Sequence, residues 1–175
     1  VRARGLSLDM TRGKPSAEQT NLSRPMLDLL NSASELQDAG ASVDNYGAPD
    51  GLPSARRLAA QILDVDPANV VVNGSSSLTL MHDLVVNAYT QGIGGCAPWC
   101  RQGQVKFLCP SPGYNRHFAV TARYGIANVP IAMNADGPDM DEVQRLVESD
   151  PSVKGIWCVP KYANPTGITY SDEVV

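Results

Sequence analysis

Apolar residues follow two alternating patterns over most of the chain. Short apolar runs predict buried strands at 70–73, 105–109, 126–133 and 153–159. Apolar residues at helical spacing predict helices between these runs: through Leu84 and Val85, from Tyr114 to about Tyr124, and from Asp139 or Asp141 through Leu146. Strands separated by helices of about ten to fifteen residues indicate crossover connections. We therefore predict an α/β fold with a mostly parallel sheet.

The first part of the chain has a less regular pattern. Ser23, before Arg24-Pro25, predicts the N-cap of a helix. Residues 44–51 hold two glycines and a proline and indicate a surface loop. Leu52-Pro53 then opens a helix with apolar positions at Leu58, Ala59, Ile62 and Leu63.

The composition is that of a globular protein with a sizeable core. The chain has 175 residues, a formal net charge of -4 and 43% hydrophobic residues. No apolar run approaches the roughly 18 residues of a membrane span, and the first five residues lack the apolar core of a signal peptide. The acidic balance, without a Lys/Arg cluster, argues against a nucleic-acid surface. We therefore expect a cytoplasmic protein that acts on small molecules, with no nucleic-acid or membrane partner.

The four cysteines do not predict a metal site. Cys109 and Cys158 lie in strand-like runs, so we expect both to be buried apolar residues. Cys96 and Cys100 have a C-x3-C spacing, but zinc would need a second ligand pair. The two histidines do not obviously supply that pair.

Residues 72–77 form a candidate anion site. A predicted strand ends at Asn73 and is followed by Gly74 and three serines at the start of a helix. Free backbone N–H groups and the helix dipole attract an anion, and the hydroxyls add donors, so a phosphate would fit. The segment lacks the lysine of a P-loop and the glycine spacing of a dinucleotide fingerprint. The alternative is plain N-capping by Ser75 or Ser76.

Two further strand ends carry polar or aromatic side chains. The run 153–159 leads to the turn Asn164-Pro165-Thr166-Gly167, which places an amide at the carboxyl edge of the sheet, where open α/β folds bind ligands. Tyr114 follows Pro112-Gly113, where its ring can stack on a planar ligand. The alternatives are an ordinary strand-to-helix loop for the turn and a rim aromatic for Tyr114.

Together these features describe one ligand. Tyr46, in the loop 44–51, adds a phenol that can donate to an anion. An anion cradle, a stacking aromatic and an amide fit a flat molecule that is phosphorylated and polar at one edge. Pyridoxal 5'-phosphate has these properties.

The order of these motifs resembles that of a known family. Tyr46-x4-Gly51-Leu52, Asn73-Gly74-Ser75-Ser76, Pro112-Gly113-Tyr114 and Asn164-Pro165-Thr166-Gly167 are similar to the first half of a fold type I aminotransferase. Residues 11–15 and 74–83 are more narrowly similar to MocR-type aspartate aminotransferases. The resemblance implies a three-layer α/β sandwich, incomplete in this chain. Residues 1–45 would be an N-terminal arm and part of a small domain, and 46–175 the first part of the cofactor-binding large domain.

The resemblance also implies roles for individual residues at the cofactor. Gly74, Ser75 and Ser76 would bind the phosphate of pyridoxal phosphate. Tyr114 would stack on the pyridine ring, and Asn164 would hydrogen-bond the phenolic oxygen of the ring, next to the substrate.

Two further roles concern a second chain and the substrate. Tyr46 would reach the phosphate bound by a second copy of the chain, which implies a homodimer. Gly13 would lie near the substrate carboxylate, and its neighbours Arg12 and Lys14 are expected to be solvated charges.

The family's covalent anchor is not expected within this chain. The resemblance places the lysine of the Schiff base in a Ser/Thr-rich motif downstream, and none of Lys14, Lys106, Lys154 and Lys161 has that context. The aspartate at the pyridine nitrogen and the arginine at the substrate carboxylate are also expected downstream. Residues 171–173 signal another helix, so we expect the polypeptide to continue past Val175.

The expected function is transfer of an amino group from an amino acid, with aspartate as the expected donor, to a 2-keto acid. No catalytic residue is assigned in this chain, and by itself it is predicted to be inactive. Two alternatives stay open: another reaction of the same fold, such as a lyase or decarboxylase, and the ligand-sensing domain of a MocR-type transcription regulator. A domain that binds no cofactor is a third, but it would leave one edge of a parallel sheet uncovered.

Overall fold

The computed structural model describes Gly5 and residues 13–175. The chain divides into two compact units, Val1–Val72 and Asn73–Val175. The domain boundary near residue 45 stays a prediction. No helix of the described residues combines the length and the apolar character that crossing a membrane requires.

The first unit consists of short elements. In chain order they are α1 (Ala17–Asn21), a 3-10 helix (Arg24–Asp28), β1 (Gln37–Asp38), β2 (Ala41–Ser42), α2 (Pro53–Leu63) and a second 3-10 helix (Pro67–Asn69). Strands β1 and β2 form an antiparallel pair. The predicted helix N-cap at Ser23 is confirmed in position. Its side chain makes no cap bond, and the helix that follows is only the 3-10 segment Arg24–Asp28.

Helix α2 begins where Leu52-Pro53 predicts it, because proline at the first helical position has no N–H to lose. Its expected apolar face is not buried. Leu58, Ile62 and Leu63 are exposed, and Ala60 is the one buried residue of the helix.

The predicted strand at 70–73 is wrong for this structure. The segment is extended at Val70, but it joins no sheet of the described residues. The Arg56 guanidinium donates to the carbonyl oxygens of Val70 and Pro67, each at 2.8 Å, and the Val72 amide donates to the Asp50 carbonyl at 2.9 Å. Because a side chain and a loop take these backbone groups, the segment forms no strand ladder.

The second unit alternates helices and strands. In chain order they are α3 (Ser77–Thr90), a 3-10 helix (Trp99–Arg101), β3 (Lys106–Ser111), α4 (Asn115–Arg123), β4 (Ala127–Asn134), β5 (Gly137–Pro138), α5 (Met140–Ser149) and β6 (Val153–Ile156). The sheet order is β5-β4-β3-β6. Strand β3 runs parallel to both β4 and β6, and β5 is antiparallel to β4. The predicted α/β fold with a mostly parallel sheet is confirmed.

One prediction near the end of an element is wrong. The run 153–159 forms a strand only to Ile156, so Cys158 lies in the following loop and is exposed, whereas Cys109 in β3 is buried. The segment that begins at Ser171 forms a single turn with the bonds of a helix start: the amides of Val174 and Val175 donate to the Ser171 carbonyl, and the Ser171 hydroxyl oxygen accepts from the Val174 amide at 3.3 Å. The predicted helix there stays a prediction.

The core lies on both faces of the sheet. Alternate residues of a strand point to opposite faces, so Phe107 packs with Val85 and Ala88 of α3, while Leu108 packs with Ile131 and Val143. Because α3 covers one face and α5 the other, the second unit has three layers.

An ion pair closes the end of the sheet where β3 and β6 begin. The Asp150 carboxylate accepts from Lys106 Nζ at 2.7 Å, and from the hydroxyl and amide of Ser152 at 2.6 and 2.9 Å. These three donors, led by Lys106, lower the pKa of Asp150 to about 2.

We therefore expect that acid removes the stabilisation that ionised Asp150 contributes to the folded protein. A carboxyl group with a lowered folded pKa stabilises the protein above its unfolded pKa of about 3.9, and this contribution is lost as pH falls through the folded pKa. The unfolding temperatures of wild type and Asp150→Asn should differ at pH 6 and converge as pH falls from about 4 towards 2. As a control, Asp172→Asn changes a carboxylate that makes no ion pair with a described residue. A difference between wild type and Asp150→Asn that is independent of pH would contradict the assignment.

Candidate functional site

The carboxyl ends of β3 and β6 border one recess. Because the two strands are parallel neighbours, the segments that follow them leave the sheet at the same edge. Pro112, Gly113 and Tyr114 after β3 line one side, and Ala163 and Asn164 after β6 line the other. The structure thus brings together two of the residues that the sequence singled out, Tyr114 and Asn164.

Asn164 lies on a loop that is closed by its own hydrogen bonds. The Tyr170 amide donates to the Pro160 carbonyl at 2.7 Å, and the Ala163 amide donates to the Ile168 carbonyl at 2.8 Å. The Val159 amide donates to the Tyr170 hydroxyl at 3.5 Å, and burial raises the pKa of this phenol. Asn164 is exposed, and its amide has no hydrogen-bond partner among the described residues. Its donor and its acceptor are both available to a ligand.

Tyr114 lies at the start of α4, in the N-cap position, with an extended backbone and no side-chain cap bond. Gly113 before it is required by packing, because a Cβ there would collide with the Pro110 carbonyl and the Phe118 ring. This close approach fixes the backbone on which the half-buried Tyr114 ring stands.

Two aromatic residues of the recess, His117 and Trp157, were not predicted from the sequence. The His117 ring is perpendicular to Tyr114, at 89° and 5.0 Å between ring centroids, and stacks on Trp157 at 24° and 5.1 Å. Burial lowers the pKa of His117, which keeps the imidazole neutral at neutral pH. The spacing of three residues from Tyr114 on a predicted helix was a signal for the first contact. The Trp157 contact depends on the pairing of β3 with β6.

The predicted anion cradle lies at the start of α3, outside the lining of this recess. Ser76 is the N-cap: its Oγ accepts from the Thr79 amide at 3.3 Å and from the Thr79 hydroxyl at 3.0 Å. The capping alternative is therefore confirmed for Ser76, and its own proton remains available to donate. Ser75 makes no hydrogen bond within the described part of the chain.

The cradle fits a phosphate. Gly74 has a positive φ of 55°, Gly74 to Ser76 are all exposed, and a helix of 14 residues directs its positive end towards them. The amides of Ser77 and Leu78 have no acceptor among the described residues, as expected for the first turn of a helix. The donors for an anion are thus present and unused.

The other predicted residues belong to the first unit. Tyr46 is fully exposed, with a relative accessibility of 101%, and Gly13 is exposed with no atom of the described residues within 4 Å of its Cβ position. Gly51 of the same motif as Tyr46 has a φ of 96°, and a Cβ there would lie 2.7 Å from the Val72 carbonyl oxygen. Arg12, which flanks Gly13, lies outside the described residues.

None of the lysines of the second unit lines the recess of Tyr114 and Asn164. Lys106 at the start of β3 is paired with Asp150, and Lys154 in β6 donates to the Pro151 carbonyl at 2.7 Å. Both belong to the end of the sheet opposite Asn164. Lys14 and Lys161 are exposed, and neither lines the recess.

The fold occurs in solved aminotransferases. The crystal structure of an aspartate transaminase from Corynebacterium glutamicum matches with a TM-score of 0.88 and 41% identity, covering 98% of this chain and 41% of that chain. The α-aminoadipate aminotransferase LysN from Thermus thermophilus, solved as a complex with N-(5'-phosphopyridoxyl)-L-leucine, matches in fold alone. Its TM-score is 0.57 at 16% identity, over 74% of this chain and 30% of that one. The architecture is that of the aminotransferases.

Sequence comparison identifies the family. A family model described as "Aspartate amino-transferase" matches residues 1–175. A protein named as a putative aminotransferase, from Mycolicibacterium smegmatis, is 47% identical over 178 residues, which cover 100% of this chain and 42% of that protein. The chain therefore belongs to the aspartate aminotransferase family, and it spans about two fifths of the length of these relatives. The resemblance to aminotransferases is confirmed, and the narrower likeness to MocR-type enzymes stays a prediction.

Proposed function

We propose that the protein to which this chain belongs is an aminotransferase dependent on pyridoxal phosphate, with aspartate as amino donor and a 2-keto acid as acceptor. The observation that carries the proposal is the shared recess of Tyr114 and Asn164 at the carboxyl edge of a parallel sheet. A ring and an unpaired amide are the groups that a planar, polar cofactor needs. The names of the relatives support the donor.

The chain's own residues would bind and orient the cofactor. The amides and hydroxyls of Gly74, Ser75 and Ser76 would donate to the phosphate, where the α3 dipole favours negative charge. Tyr114 would stack on the pyridine ring, and the Asn164 amide would donate to its phenolic oxygen and keep that oxygen ionised. When bound, the cofactor supplies an electron sink for the change at the amino acid's α-carbon.

The remaining assignments extend the proposal to substrate and assembly. Gly13 would lie near the substrate carboxylate. Tyr46 would contribute its hydroxyl to the phosphate site of a second copy in a homodimer, and its full exposure leaves the ring available for that contact. The proposed location is the cytoplasm, and the proposed partners are amino and keto acids.

An absorbance titration tests the proposal. The longest available protein that contains this chain should bind pyridoxal phosphate and develop a new absorption band, which should disappear on addition of aspartate and return with a 2-keto acid. Residues 1–175 alone are the matched control, with weak binding and no transamination expected. A longer protein that acquires no bound chromophore would refute the proposal, and turnover by residues 1–175 would show that the anchoring lysine is within this chain.

A further inference from the structure

We propose that Tyr170 is a positioning residue for Asn164: it fixes the base of the loop 160–170 and thereby the place at which the Asn164 amide meets the cofactor. This inference rests on the proposed function, in which Tyr170 has no part. Tyr170 uses its amide, its hydroxyl and its ring for this purpose, and all three make contacts within the second unit.

The two ends of the loop 160–170 meet at Tyr170. The Tyr170 amide donates to the Pro160 carbonyl at 2.7 Å, and the Tyr170 hydroxyl oxygen accepts from the Val159 amide at 3.5 Å. The first bond joins the last residue of the loop to its first residue. The second bond extends the closure to the residue before the loop, where the chain has just left β6. Tyr170 therefore closes the base of the loop with both its backbone and its side chain.

The path from this base to Asn164 is short and cross-linked. The Tyr162 amide donates to the Thr169 hydroxyl oxygen at 3.2 Å, and the Ala163 amide donates to the Ile168 carbonyl at 2.8 Å. Ala163, directly before Asn164, is also buried. Because bonds connect the two sides of the loop at each of these levels, a displacement of the base also displaces Asn164.

The Tyr170 ring is seated against the sheet. It is only 9% exposed, and it approaches Gly137 of β5 so closely that a Cβ there would lie 3.3 and 3.4 Å from two of its atoms. Next to this contact, the Ser171 amide donates to the Asp136 carbonyl at 2.9 Å. Strand β5 is in turn paired with β4. The ring thus fixes the base of the loop to the edge of the sheet.

This attachment matters because Asn164 has to meet one atom of a ligand whose ring plane is set elsewhere, by Tyr114. A hydrogen bond weakens steeply when its angle departs from linearity, so a small shift of the loop is enough to reduce it. An amide that is already in place also lowers the entropy that binding must overcome. Tyr170 should therefore strengthen cofactor binding through Asn164.

A double-mutant cycle separates this role from general support of the fold. Tyr170→Leu removes the ring and the hydroxyl, Tyr170→Phe removes the hydroxyl alone, and each is made in wild type and in Asn164→Ala. Two quantities are measured in the longest available protein: the dissociation constant of pyridoxal phosphate, and the pH midpoint of the absorbance change of the bound cofactor. Tyr89→Leu is the matched control, because Tyr89 is also partly buried and packs on Tyr124 at 5.5 Å, outside the recess.

Tyr170→Leu is expected to bind pyridoxal phosphate about threefold to tenfold more weakly, since the Asn164 hydrogen bond is misaligned. The pH midpoint should rise by about 0.5–1 unit, because a weaker donor favours the ionised phenolic oxygen less. Tyr170→Phe keeps the ring on Gly137 and should bind within about twofold of wild type, as a bond of 3.5 Å is weak. In Asn164→Ala, the further change Tyr170→Leu should alter neither quantity.

The control and the contrary outcomes are equally specific. Tyr89→Leu should lower the unfolding temperature and leave both cofactor readouts unchanged. If Tyr170→Leu weakens binding equally with and without Asn164, or leaves both quantities as in wild type, the inference is refuted. Tyr170→Met takes the place of the leucine variant if the latter does not fold, because methionine adapts to irregular gaps. A wild-type protein that binds no pyridoxal phosphate would instead refute the proposed function.

Discussion

Replacing Gly155 with alanine is expected to lower the free energy of unfolding by about 1–3 kcal/mol, the range for overpacking a core. Gly155 lies in β6, and an added Cβ would lie only 2.4 and 2.5 Å from two atoms of the Phe107 ring and 3.1 Å from a third. Phe107 cannot retreat freely, since Trp99 and Trp157 pack on it at 6.3 and 5.1 Å between ring centroids. The strain should reach the recess through Trp157 and weaken cofactor binding as well.

Denaturant unfolding of the longest available protein measures this effect. Gly47→Ala is the matched control, because a Cβ there meets no atom of a described residue within 4 Å and its φ is not in the left-handed region. Phe107→Leu in the Gly155→Ala background should recover part of the loss, as the smaller side chain leaves room for the methyl group. Strictly additive effects of the two substitutions would show that the ring and the new methyl group do not meet.

Ser75→Ala is expected to weaken binding of pyridoxal phosphate about tenfold or more without changing the unfolding temperature. In the proposed function the Ser75 hydroxyl donates to a charged phosphate. A hydrogen bond to a charged group contributes roughly 1.5–3 kcal/mol to binding. The structure gives this hydroxyl no other partner among the described residues. Ser76→Ala should weaken binding similarly and also destabilise the protein by about 1 kcal/mol, because Ser76 caps α3.

Pyridoxal, which lacks the phosphate, is the matched ligand for this experiment. Its binding should be the same in wild type and Ser75→Ala, because the substitution removes a donor to a group that pyridoxal does not have. Equal weakening of pyridoxal and pyridoxal phosphate would contradict the phosphate cradle and indicate a general disturbance of the site.

Elements with strong local signals were predictable from the sequence. Helix α5 begins after Asp139, one of the two predicted caps, whose carboxylate accepts from the Glu142 amide at 3.1 Å. Strand β4 starts within one residue of its prediction, at Ala127. Both follow from apolar periodicity and capping chemistry, which act over a few residues.

Two predictions that depended on which segments pair with each other were wrong. The segment 70–73 has the composition of a strand, but Arg56 and Asp50 take its backbone groups. Cys158 lies in an apolar run that predicts burial, but β6 ends two residues before it, and Cys158 is exposed. A strand forms only where its backbone groups pair with a neighbouring strand, and a run of apolar residues does not identify that neighbour.

Some features of the candidate site were likewise predictable from local sequence, and others depended on the tertiary structure. The sequence by itself determined the α/β class, the mostly parallel sheet, the helix start at Gly74 to Ser76 and the two segments after strands that carry Tyr114 and Asn164, because turn residues, caps and periodicity are local properties. Only the tertiary structure decided that Tyr114 and Asn164 share a recess and that His117 lies between Tyr114 and Trp157. His117 and Trp157 are 40 positions apart and Tyr114 and Asn164 are 50 positions apart; they come together because β3 pairs with β6, and that pairing depends on packing over the whole sheet.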